Sequence, residues 1–154
     1  MVKRKPISRK APWVRCSFCL VVEEATPEQV SERLSLPRDE GRILNDEVVR
    51  DQLSYDGDFA CSWVINSGQD SKAPVSYHIT DIVERLESRR EQLRQLLAAG
   101  ALAEIKVAIL SGEFAVPLRI SSALMMRVAQ LNVELVVYFT PEGTWDKMIA
   151  HVHS

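Results

Sequence analysis

Residues 77–110 read YHITDIVERLESRREQLRQLLAAGALAEIKVAIL, and this stretch decides the fold. Ile79, Ile82, Val83, Leu86, Leu93, Leu96 and Leu97 recur at three- and four-residue steps, so they share one face of a helix. The spacing predicts one long amphipathic helix, with a hydroxyl of Ser76 or Thr80 as its cap and Asp81 and Glu84 at the positive end of its dipole. Ala98, Ala99 and Gly100 end it, because glycine tolerates the left-handed conformation of a helix stop. Ile105, Val107 and Ile109 then alternate with Glu104, Lys106 and Ala108, the pattern of a half-buried strand.

Working outward, alternation predicts a first strand over residues 14–22, a second over 59–66 and a last over 133–139. In the last strand Val133, Leu135, Val137 and Phe139 are expected to face inward. Thr26-Pro27-Glu28-Gln29 is a compact helix start: threonine caps, proline fills the first position and Gln29 closes a capping box. That helix ends before Pro37. Ser121 or Ser122 opens another helix, in which Leu124, Val128 and Leu131 face inward and Asn132 supplies the stop. Between them, residues 37–58 are polar and irregular, with seven acids against three arginines. Ile43, Leu44, Val48, Val49 and Leu53 could form a short helix or an edge strand there.

The resulting order, β-α-β-α-β-α-β, implies an α+β two-layer sandwich: a four-stranded mixed sheet with three helices on one face. The order is compatible with a ferredoxin-like fold, with strand order left open. The expected division is a basic flexible arm over 1–12, one domain over 13–141 and a tail over 142–154.

The TPEQVSERLSL helix, the later strand with Trp63, the leucine helix and LRISSALMMRVAQLNVELVVYF together resemble the bacterial family catalogued as domain of unknown function 4279. The resemblance covers about residues 14–140. The family's tryptophan- and glycine-containing loop after the first helix is represented here by Pro37 and Gly41. The resemblance implies no activity and no catalytic residue.

Charge is unevenly placed. Lys3, Arg4, Lys5, Arg9 and Lys10 put five positive charges in the first ten residues, so the net charge of −2 divides into +5 on the arm and −7 on the rest. No apolar run approaches the roughly 20 residues of a membrane helix, and no signal peptide follows the basic start. Three cysteines without framework spacing suit a reducing compartment, so the expectation is cytoplasmic.

Chemistry is sparse. Cys16 and Cys19 form a CxxC, but residues i and i+3 of a strand point to opposite faces, and no second pair completes a zinc shell. Asp56-Gly57-Asp58 lacks EF-hand spacing and is better explained as a turn. His78 and Asp81 lie one helical turn apart and are expected at a solvated helix start, while His151 and His153 alternate at the chain end, an inert pattern. Arg89 and Arg90 interrupt the leucine stripe and are expected to snorkel from the core edge. With no nucleophile elbow and no phosphate-binding glycine loop, no enzyme, cofactor or metal is expected.

The outward strand residues are Arg15, Ser17, Cys19, Ser62, Val64, Lys106, Ala108, Glu134, Val136 and Tyr138, a face small and partly apolar. Such a face suits covering by protein, through self-association or by a partner. The leading expectation is therefore a non-catalytic, cytoplasmic protein-binding module, of which an immunity or inhibitor protein acting on a basic partner is one form. Its candidate contacts are Val64, Val136, Tyr138, Asp46, Glu47, Asp56 and Asp58. The alternative is nucleic-acid association through the arm of Lys3, Arg4, Lys5, Arg9 and Lys10.

Overall fold

The computed structural model of the chain describes residues 12–44, 60–111 and 117–141. The arm residues Lys3, Arg4, Lys5, Arg9 and Lys10, the acids Asp46, Glu47, Asp56 and Asp58, and His151 and His153 lie outside the described residues. The strands are β1 (Trp13–Glu23), β2 (Glu40–Leu44), β3 (Ala60–Asn66), β4 (Leu102–Ser111) and β5 (Glu134–Pro141). The helices are α1 (Pro27–Leu34), α2 (Val75–Glu87), α3 (Arg90–Ala98) and α4 (Ser122–Gln130).

The class is α+β, as expected, but among the described residues the sheet has five strands, in the order β2-β3-β1-β4-β5, rather than four. All neighbours are antiparallel except β4 and β5, which run parallel. The order is not that of a four-stranded ferredoxin-like sheet, because β5 is added beyond β4 and runs parallel to it. β1 lies between β3 and β4, antiparallel to both, and α4 makes the crossover to the added strand, the one parallel pair of neighbours among the described residues. The extra strand is β2: of the two options for Ile43 and Leu44, the edge strand is the one adopted.

The single long helix is also corrected, to α2 and α3, which brings the described helices to four. A helix running straight from Leu86 to Leu93 would carry Arg89 or Arg90 onto its buried face. The chain turns at Ser88 and Arg89 instead, with the Arg89 N–H on the Leu86 carbonyl at 2.9 Å and Leu93 restarting the ladder on Arg89 at 2.9 Å. Arg90 reaches toward Gln130 of α4 at 3.4 Å. The caps differ as well. α2 begins at Val75 behind Pro74, without a side-chain cap and without an acid in its first turn. Thr80 donates its hydroxyl back to the Ser76 carbonyl at 2.7 Å, and Asp81, in the second turn, accepts the Gly68 N–H at 2.8 Å.

Other local readings hold. Thr26 and Gln29 form the reciprocal capping box over Pro27. Ser121 caps α4 by accepting the Leu124 N–H at 3.1 Å, and Asn132 and Gly100 take positive φ after their helices.

The inward residues of β1, β3 and β4 (Val14, Cys16, Phe18, Leu20, Val22; Cys61, Trp63, Ile65; Ile105, Val107, Ile109) meet those of the helices in one core. Burying each large aliphatic or aromatic side chain there contributes about 1.5–3 kcal/mol. At its centre Trp63 meets Phe18 edge to face at 6.3 Å and donates its indole N–H to Ser31 of α1 at 2.8 Å. The core thins toward β5. Leu135 and Val137 are half-buried, and Phe139, expected inward, is 60% exposed because β5 is the last strand of the sheet.

Candidate functional site

Every described helix contributes to the core on the inner face of the sheet, so the outer face is where candidate contacts can assemble. Strand register orders that face into rows. One row runs across all five strands as Glu40, Val64, Cys19, Glu104 and Glu134. The next holds Asn66, Ser17, Lys106 and Val136, followed by Arg15, Ala108 and Tyr138, and then Trp13 and Leu110. On the other side of the acidic row lie Arg42, Ser62, Val21 and Leu102.

The face is thus polarised. Three carboxylates flank Val64 and Cys19 in one row, and the salt bridge from Lys106 to Glu104, 3.0 Å long, marks the boundary. Beyond it the charged residue is Arg15, in company with the half-exposed aromatics Trp13 and Tyr138. A concavity of about 630 Å3 lies at the acidic end, lined by Cys19, Val21, Arg42, Ser62, Glu104 and Glu134 among others.

Val64, Val136 and Tyr138 do share this face. Val64 is separated from the other two by three strand spacings, roughly 14 Å. Trp13, Leu110, Leu102, Glu40 and Arg42 belong to the face too and were missed. For Trp13 the signal was present, since one more step of the β1 alternation includes it. Glu40 and Arg42 gave none, because a five-residue strand inside an acid-rich segment has too few alternations to stand out.

The remaining chemistry is dispersed. Cys16 is a buried core residue and Cys19 faces out, so the CxxC thiols lie on opposite sides of β1; all three cysteines are free. Burial, helped by the Asp81 carboxylate, pushes the Cys16 thiol up to about 12, and burial also raises Cys19, leaving neither a ready thiolate. His78 is not at a solvated helix start. It is 2% exposed, and its Nδ1 shares a hydrogen bond with the Ser67 hydroxyl at 2.9 Å. Burial holds the imidazole below its ordinary value, against the Asp70 and Ala73 carbonyls and the Asp81 carboxylate. Asp81 is engaged with Gly68 and lies 3.9 Å from Arg85, so Ser67, His78 and Asp81 do not form a relay. Among the described residues, no group of three His, Cys, Asp or Glu side chains is placed to hold a metal ion.

No described helix is long and apolar enough to cross a membrane. No curated protein and no solved structure is detectably similar to the chain. Residues 12–140, which span all of β1 to β4 and all but the last residue of β5, match the family described as Domain of unknown function (DUF4279), and the chain belongs to that family.

Proposed function

We propose that the chain is a non-catalytic, cytoplasmic protein-binding module whose outer sheet face engages a basic protein surface, as an immunity- or inhibitor-type protein does. The observation that supports this reading is the row Glu40, Val64, Cys19, Glu104 and Glu134, which sets small apolar groups between carboxylates across the whole sheet. Removing the apolar part of such a row from water gains about 25 cal/mol per Å2, which suits a protein surface. The flanking acids would steer a basic partner and set association rate more than final affinity. In sequence, residues 37–58, which contain β2, carry seven acids against three arginines.

The test is capture of proteins encoded beside this one, untagged and from its own host, by wild type and by Val64→Glu combined with Val136→Lys. Both valines lie on the outer face outside the core, so the melting temperature should hold while capture is lost. Equal capture by the double variant would place the binding surface elsewhere.

A second reading has its own observation. The basic arm precedes Trp13, and Trp13, Arg15 and Tyr138 occupy neighbouring rows at that end of the face. Exposed aromatics beside cations are what single-stranded nucleic acid stacks on. Salt-sensitive retention on single-stranded DNA or RNA, lost on deleting residues 1–10 or in Trp13→Ala, would favour it over the protein partner.

A further inference from the structure

We propose that β5 pairs edge to edge with β5 of a second copy, joining two sheets into one of ten strands. The observation is an inward-pointing aromatic left in solvent. Phe139 alternates with Leu135 and Val137 toward the helix layer, yet it is 60% exposed, and its neighbour Tyr138 on the outer face is 50% exposed. Among the described residues no strand lies beyond β5, so alternate residues of its eight turn their backbone N–H and C=O groups away from β4 without a ladder partner. Exposed edges are commonly blunted by charge, brevity or proline. β5 is eight residues long and carries only one charge, Glu134 at its start, and one proline, Pro141 at its end. On the same flank α4, which packs against β5, leaves Met125 and Met126 more than half exposed.

A second copy fits this edge by charge and by register. A two-fold axis through Val137, perpendicular to the sheet, sets Val136 against Tyr138, Leu135 against Phe139 and Glu134 against Thr140 of the other copy. Inner residues meet inner residues, so both helix layers stay on one side. No charge meets its like, and aromatic residues face aliphatic ones, favoured cross-strand pairs. Pro141, which has no N–H to give, falls just outside the paired segment. The outer face would continue unbroken across the seam. The pairing rests on the edge alone: a monomer that still captured its partner would overturn it and leave the binding reading standing.

The test is solution mass by sedimentation equilibrium across micromolar concentrations. Wild type should approach twice the 17.4 kDa chain mass. Phe139→Lys and Tyr138→Lys, both at exposed positions the fold tolerates, should each return to the single-chain mass, while Arg42→Glu on the opposite edge should stay doubled. Val137→Cys, in a Cys19→Ser background, should give a covalent dimer on mild oxidation, since facing residues of antiparallel strands lie within disulfide reach. A wild type of single-chain mass at every concentration overturns the proposal. So does a doubled mass that survives both lysines, or a dimer that Val137→Cys fails to cross-link.

Discussion

The two edges of the sheet are built in opposite ways. At the β2 edge a short strand carrying Glu40 and Arg42 is fastened from several sides. The Asp39 N–H reaches the Val64 carbonyl at 2.9 Å, its carboxylate accepts the Asn66 N–H at 2.6 Å, and Arg38 bridges to Glu28 of α1 at 2.6 Å. Gly41 stands opposite Trp63, where an added Cβ would lie 2.9 Å from Pro27 and 3.0 Å from Arg38. At the β5 edge a longer, nearly uncharged strand has half-buried inner residues and exposed aromatics. The difference teaches that the sheet ends in a short, charged and pinned strand where α1 packs on it, and in a long, nearly uncharged one at β5.

Truncation should separate the edges most sharply. Trp63→Ala removes a fully buried indole and strands the Ser31 hydroxyl, and should cost about 3–5 kcal/mol in chemical unfolding. Val137→Ala, at the half-buried β5 edge, should cost about 1 kcal/mol. Equal losses would erase the contrast. Gly41→Ala comes next, because its Cβ meets a ring carbon and a partly buried side chain, and overpacking of this kind costs about 1–3 kcal/mol. A neutral result would show that the β2 edge gives way more easily than its contacts suggest.

His78, on the loop side of the central strands, provides a pH-dependent reference. Its imidazole is held below the ordinary 6.5, chiefly by burial, so the unfolded chain binds that proton more readily than the folded one. The His78 contribution is therefore complete above about pH 6.5 and is lost as pH falls below it. Melting curves between pH 7.5 and 5 should show this loss, and His78→Gln should flatten the slope. A variant as acid-sensitive as wild type would assign the loss to other groups. The smallest effect belongs to Phe139→Ser, which should change monomer stability by less than about 0.5 kcal/mol, as surface substitutions do. A larger loss, measured where the protein is monomeric, would mean that Phe139 already packs within its own chain.

Much of the fold was legible in the residues. The capping box at Thr26, the serine cap at Ser121, the left-handed stops at Gly100 and Asn132 and the inner faces of β1, β3 and β4 all followed from local chemistry. The single long helix was misread because Leu86 and Leu93 keep the same face across seven residues, and spacing alone does not register a two-residue turn. His78 was placed in solvent because burial of a polar ring depends on a loop eleven residues earlier bringing Ser67 to it.

What the sequence determined by itself was therefore local: which segments are helices and strands, where most of them start and stop, and which side of each central strand is apolar. These depend on neighbours within a few residues, where propensity, capping and alternation act. Only the tertiary structure decided the order β2-β3-β1-β4-β5, the assembly of Glu40, Val64, Cys19, Glu104 and Glu134 into one row, and the position of β5 as an open edge. Alternation has a period of two in every strand, so it fixes which face a side chain takes but carries nothing about which strand lies beside it.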